Sequence, residues 1–208
     1  GFSLYRQGSL GSKTFFAQFG AGWSDTSLDG EAFSEVQHVN GSLYLQMLPA
    51  WTLGFTGGFS WKDFAGEMEF PEFFDRDGEE WQAGLESDHQ LFSNRVHLGL
   101  RYGYTDSTTS GSQFVQNSHS GNATVSLIFP HAFRLSMGVG YQESYYPEFL
   151  PEPERLDDSW TYNATLHKSF AGDRLHLELS WSALSAESTL EFAEYEATIY
   201  GCALSYTY

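Results

Sequence analysis

The chain has 208 residues, 27 acidic against 10 basic, giving a formal net charge of -17, which excludes nucleic acid as a default partner because a phosphate backbone attracts basic surfaces. It is 17% aromatic with 21 glycines and a mean hydropathy of -0.35; no apolar run approaches the ~18 residues of a spanning helix, so a helical membrane protein is excluded. One cysteine, Cys202, excludes an intrachain disulfide. The length suits a single domain over 1–208, and any secretory signal is expected upstream of Gly1 or already removed.

Period-two alternation dominates the chain, and it places successive side chains on opposite faces of a strand. Phe2, Leu4 and the Gly8-Ser9-Leu10-Gly11 turn read as the tail of an earlier strand. Ten strand cores then follow at 14–24, 36–47, 51–62, 80–91, 95–105, 114–129, 132–142, 159–169, 174–183 and 195–208. In the third, Trp51, Leu53, Phe55, Phe59 and Trp61 share one face, opposite Thr52, Gly54, Thr56, Gly58, Ser60 and Lys62. The fifth sets Val96, Leu98, Leu100, Tyr102 and Tyr104 against Arg95, His97, Gly99, Arg101, Gly103 and Thr105. The ninth sets Leu175, Leu177, Leu179 and Trp181 against Arg174, His176, Glu178 and Ser180.

Connections alternate between short turns (49–50, 92–94, 130–131, 171–173) and longer segments (25–35, 63–79, 106–113, 143–158, 184–194), and the longer ones with their edges hold most of the acid. That is the pattern of periplasmic turns and extracellular loops. A soluble barrel or sandwich also alternates, so the tryptophans are the second test. Trp23, Trp61, Trp81, Trp160 and Trp181 read as lying at the long-loop end of the apolar face and Trp51 at the short-turn end, with Tyr208 closing the last strand. Indole rings favour the headgroup level, so these residues are expected to form membrane-interface girdles. The fold expected is all-β: a transmembrane antiparallel up-and-down barrel of about ten strands, or twelve or more if the chain is part of a wider barrel.

On the polar face, Arg95, Arg134 and Arg174 each follow a short turn, near His97, His167, His176, Glu178 and Asp88, with Arg101 on the same face. These residues are the candidate lumen constriction, either an anion-attracting ring or an internal salt-bridge network. Asp75-Arg76-Asp77-Gly78-Glu79-Glu80 has part of the oxygen-ligand spacing of a calcium loop. The spacing is incomplete, and a solvated acidic loop, or one bridged to lipopolysaccharide by divalent ions, is the reading preferred. His38, His89, His119 and His131 lack zinc spacing. No metal site, cofactor or catalytic constellation is expected, since the acidic rim has no histidine base beside it.

Two stretches carry a family likeness: Pro151-Glu152-Pro153-Glu154-Arg155-Leu156-Asp157-Asp158, leading into an alternating strand, and the final hairpin from Leu175 through Tyr195 to Ala203-Leu204-Ser205-Tyr206-Thr207-Tyr208. Together they resemble the C-terminal barrel of outer-membrane proteins with periplasmic tetratricopeptide repeats, including surface lipoprotein assembly modifiers and exopolysaccharide export porins. The likeness covers about the last third of the chain. It implies a bacterial outer-membrane export conduit fed by a helical-repeat domain. The function expected is a pore or export conduit surrounded by outer-membrane lipid and lipopolysaccharide, alone or with a protein partner in an envelope assembly. The alternative is a structural or adhesive barrel that docks a partner through its acidic loops or outer wall.

Overall fold

A computed structural model describes residues 1–28, 31–64, 75–131, 133–149, 154–170, 174–190 and 193–206. Eleven strands form one antiparallel sheet in sequence order. They are β1 (Phe2–Leu10), β2 (Lys13–Leu28), β3 (Glu31–Leu48), β4 (Trp51–Asp63), β5 (Gly78–Leu91), β6 (Val96–Thr109), β7 (Gln116–Phe129), β8 (Phe133–Tyr146), β9 (Arg155–Phe170), β10 (Leu175–Ser188) and β11 (Tyr195–Tyr206). The expected all-β, up-and-down class is the one found. All ten expected strands are present, and β1 is the eleventh.

Register fixes the faces. Leu43, Phe55, Leu85 and Tyr102 stand opposite one another across β3 to β6 on the apolar face. One residue along, Tyr44, Gly54, Glu86, Arg101 and Asn122 form the corresponding row on the polar face of β3 to β7. A slip of one residue in any pair would exchange the two sets, so the alternation excludes odd slips and fixes the faces, while the choice among even registers is left to the fold.

The short-turn end is tightly built. Gly11 turns with φ +64°, while Phe92, Ser93, Asn94 and His131 adopt left-handed backbone without being glycine, a conformation that costs a Cβ-bearing residue about 1 kcal/mol. At the opposite end the strands run further than expected. The segment 25–35, read as a long connection, is mostly paired strand: Asp25 faces Glu35 and Thr26 faces Ser34. Likewise β8 and β9 continue to Tyr146 and from Arg155. The reason is chemical. In these upper turns of strand polar residues stand on both faces, as Asp25 and Glu35 on one and Thr26 and Ser34 on the other, so period-two pairing persists where hydropathy no longer alternates cleanly.

The described residues form no interior core. Phe59 is the one buried apolar side chain among the described residues, wedged between Trp61 and Trp81 with ring centroids 4.2 Å away in each case. The accessible surface is 14270 Å², whereas a folded soluble monomer of this mass exposes about 9,700 Å². The excess lies largely on the apolar face, where Phe55, Leu85, Leu100, Tyr102, Leu179 and Leu204 stand uncovered.

Candidate functional site

The polar face is a continuous surface of hydroxyls, amides and glycines with charged groups at three levels. It is tightly packed at Gly54, where an added Cβ would lie 2.7 Å from Tyr44 Cε1 and 3.3 Å from Glu86 Cβ; glycine there lets the tyrosine ring lie down across the strand. Tyr44 continues a ladder of rings across the edge of the sheet. Phe16 lies 6.4 Å from Tyr44 and Tyr5 lies 6.5 Å from Phe16. On the other side of Gly54, Glu86 Oε2 stands 3.9 Å from Arg101 Nε, whose side chain is 65% exposed. Apolar rings and a solvated ion pair thus share one row of the polar face.

Nearer the short turns, Arg134 stands opposite His167, and His167 opposite Glu178. The His167 and His176 rings stack with centroids 5.6 Å apart, and Ser169 Oγ lies 3.0 Å from His176 Nδ1. Of the residues singled out from sequence, the fold therefore gathers Arg134, His167, His176 and Glu178 across β8 to β10. It places Arg101 on a different row, with Glu86. His97 turns toward its own hairpin, its Nε2 3.0 Å from the Asn94 carbonyl oxygen. Arg95 and Arg174 sit in the turns before β6 and β10, where their backbone N–H groups donate to Leu91 and Phe170 carbonyls. Arg95, Arg134 and Arg174 have no described carboxylate within ion-pair distance; the ion pairs among the described residues are Lys62–Glu80, Arg101–Glu86 and Arg155–Asp157. Among the described residues, the three short-turn arginines thus join no ion pair.

On the apolar face, Trp23, Trp61 and Trp81 lie high on their strands and are exposed. Trp160 neighbours Tyr141 at 4.8 Å. Trp51 lies at the short-turn end, its Nε1 donating to Ser87 Oγ at 3.0 Å while its ring stacks on His89. Trp181 is lower than the sequence suggested. It pairs with Ala164, whereas Trp160 pairs with Ser185, four residues further up β10. Tyr208 lies outside the described residues. Just above the belt, carboxylates follow on the same face. Tyr104 Oη donates to Asp106 at 3.0 Å, and Tyr141 Oη donates to Asp158 at 2.9 Å with Glu143 3.2 Å away.

At the rim, the acidic loop is organised by its own backbone. Asp75 Oδ1 accepts from the Asp77 N–H at 2.9 Å, and Asp77 Oδ1 from the Phe64 N–H at 2.6 Å. Glu80 accepts from Lys62 and Gln82, each at 2.6 Å. Sequence reasoning missed three features. The aromatic ladder was visible in the phase of Phe16 between Phe15 and Ala17. The Lys62–Glu80 pair joins strands whose register the sequence did not specify. The third, the rim cluster around Arg155, comprises a bidentate pair with Asp157 and cation–π contacts to Tyr146 at 4.9 Å and Phe149 at 5.2 Å.

No protein-family model matches the chain, and no curated protein does. Among solved structures, the chain is similar to the ferric yersiniabactin uptake receptor FyuA from Yersinia pestis, with a TM-score of 0.47 and 9% identity over 98% of this chain and 40% of that one. The chain thus spans less than half the length of that receptor.

Proposed function

We propose that this chain is the wall of a bacterial outer-membrane β-barrel that works as a pore or export conduit and catalyses no reaction. The observation that carries the reading is the single-layer sheet itself: one face apolar and uncovered, the other predominantly polar, with no core between layers among the described residues. In water the apolar face would be an aggregation surface; in a bilayer it is solvated by lipid while the polar face lines an aqueous interior. The aromatic belt, and the carboxylates directly above it, suit the boundary between acyl chains and headgroups.

Charge supports an orientation. Lys13, Arg95, Arg134, Lys168 and Arg174, half of the 10 basic residues, cluster at the short-turn end, while the acid concentrates at the other. With short turns in the periplasm, the acidic rim faces outward among lipopolysaccharide. The resemblance to barrels of tetratricopeptide-repeat export proteins supports the conduit reading, and a protein partner in the envelope belongs to it. Ser169 and His176 are a cross-strand pair, and among the described residues no third group is hydrogen-bonded to the imidazole, so we read the contact as structural.

Planar-bilayer conductance tests the proposal. Stepwise ion conductance is expected, with replacement of Arg134 by glutamate moving selectivity toward cations. A chain that inserts but never conducts, even with Arg95, Arg134 and Arg174 replaced by alanine, would sink the conduit; co-purification of a stable partner in that case supports the docking alternative.

A further inference from the structure

Strand β7 is a low line in the apolar wall. On that face the register sets Val125 between Leu98 and Met137, Ala123 between Leu100 and Val139, and Gly121 between Tyr102 and Tyr141. In each row the middle side chain is the shortest, so β7 is the floor of a groove whose walls stand on β6 and β8. The floor drops toward the belt, where a Cβ added at Gly121 would meet nothing within 4 Å. At the lower end lies a hollow of about 590 Å³, lined by Leu98, Leu100, Ala123, Val125, Met137 and Val139.

One row above Gly121 the chemistry changes. His119 lies between Tyr104 and Glu143, and Glu143 faces Asp158. A second hollow of about 580 Å³ opens here, lined by Asn117, His119, Glu143, Tyr145 and Glu154 among others. Tyr102 Oη lies 2.7 Å from His119 Nδ1, and the Tyr104 ring lies 5.0 Å from the imidazole. Tyr141 Oη donates to Asp158 at 2.9 Å and has Glu143 3.2 Å away, so two carboxylates converge on one hydroxyl. Among the described residues no lysine or arginine lies within ion-pair distance of Glu143, Glu154 or Asp158. The groove is therefore apolar along its length and anionic, with aromatic faces, at its head.

The geometry points to a lipid site: one acyl chain of an aminophospholipid lies along β7, and its ammonium group sits among Glu143, Asp158 and the rings of Tyr104 and Tyr141. The inference rests on the membrane reading. At about 3.4 Å per residue and a tilt of about 40°, the stretch from Val125 to His119 rises roughly 15 Å, half of the ~30 Å hydrocarbon thickness and so one leaflet. Width decides between lipid and polypeptide. The backbones of β6 and β8 are about 9.6 Å apart, too close for a helix about 10 Å across to settle between their side chains, whereas a single acyl chain fits. Charge decides the headgroup. An ammonium is attracted by the carboxylates and by the faces of the tyrosines, while lipopolysaccharide and other anionic lipids bring phosphates against carboxylates.

Native mass spectrometry tests the site on the full chain, purified in detergent and titrated with phosphatidylethanolamine or phosphatidylglycerol of identical acyl chains. One phosphatidylethanolamine per chain should be retained, with an affinity on the order of tenfold above that for phosphatidylglycerol. Gly121→Leu raises the groove floor and should lower that affinity on the order of tenfold. Ala17→Leu, on the apolar face of β2, should leave it unchanged. Glu143→Gln combined with Asp158→Asn keeps acceptors for the Tyr141 hydroxyl; it should erase the preference between the two lipids while acyl binding persists. Equal retention of both lipids by the unmodified chain, a preference for phosphatidylglycerol or lipopolysaccharide, a polypeptide held in place of lipid, or retention indifferent to Gly121→Leu overturns the inference. Heat-modifiable migration and membrane fractionation are read for every variant. A chain that folds and inserts without lipid preference ends the lipid site alone; a chain that never inserts ends the membrane reading and the site with it.

Discussion

Arg155 and Asp157 meet through two parallel hydrogen bonds, Nε to Oδ1 at 2.9 Å and Nη2 to Oδ2 at 2.6 Å, with Ser188 Oγ donating to the same Oδ1 at 2.6 Å. The guanidinium is also covered by Tyr146 and Phe149. This cluster ties β8, β9 and β10 together at the rim, above Tyr141 and Trp160, which in the proposed reading places it outside the membrane band. Both charged side chains are largely shielded, at 21% and 24% exposure, so the pair is worth more than a surface salt bridge. Replacing Asp157 with asparagine should cost about 1–2 kcal/mol, because a shielded guanidinium loses its counter-charge. Arg155→Lys should not preserve the lost stability, since an ammonium has no two-pronged fork and stacks poorly on rings. Urea midpoints of the folded protein in detergent measure both.

The same cluster predicts an alkaline transition. Burial, and then the Asp157 carboxylate, raise the Tyr146 phenol above its ordinary value, with Arg155 opposing. A group whose folded-state pKa is raised contributes stability that is fully present below the unfolded value, near 10, and is lost as pH rises through the folded value. Rim stability should therefore be level through neutral pH and decline above about pH 10, with the decline absent in Tyr146→Phe. Phenolate absorbance and thermal midpoint, followed together with pH, would show this. A decline that begins below pH 9 or survives in the phenylalanine variant contradicts the assignment.

Gly54 and Gly121 should respond oppositely to the same substitution. An alanine Cβ at 54 meets the Tyr44 ring at 2.7 Å, while one at 121 meets nothing within 4 Å. Gly54→Ala should destabilise by about 1–3 kcal/mol as Tyr44 is pushed off the polar face. Gly121→Ala should be neutral or stabilising by about 0.5–1 kcal/mol, since it removes unfolded-chain freedom without a clash. If Tyr44 shapes the passage, Gly54→Ala should also change single-channel conductance, whereas Gly121→Ala, on the outer wall, should leave it unchanged.

The contrast between these glycines shows what the sequence could and could not convey. Period two assigned Trp51, Leu53, Phe55, Phe59 and Trp61 to one face directly, because strand geometry turns alternation into sidedness with no further information. Strand ends were misplaced where sidedness vanished: Asp25 and Glu35 pair above the belt, where polar residues occupy both faces. The candidate constriction was legible as a list but not as a place. Arg134 and Glu178 share a neighbour in His167, while Arg101 belongs to the Glu86 row; that difference is set by the stagger between hairpins, which no local pattern encodes. Arg155–Asp157 was hidden for another reason. Residues two apart on one strand share a face, but nothing in their spacing announces a bidentate bond.

Tryptophan depth gives the last and most direct test, since it separates the belt as sequence suggested it from the belt as the fold arranges it. Trp160 and Trp181 lie on neighbouring strands of one hairpin, four residues apart in register. At about 3.4 Å per residue and a tilt of about 40° the four residues contribute roughly 10 Å of depth, and the sideways step between tilted strands changes this by about 3 Å, so the two rings lie at clearly different depths. Single-tryptophan variants in vesicles of brominated lipid should therefore divide. Trp61, Trp81 and Trp160 should be quenched most strongly by bromine near the headgroups, and Trp181 by bromine deep in the acyl chain. Equal depths for Trp160 and Trp181 would mean that the strands cross the bilayer at a different tilt or register from this sheet. No quenching at any of the four would remove the lipid from the apolar face and, with it, the conduit.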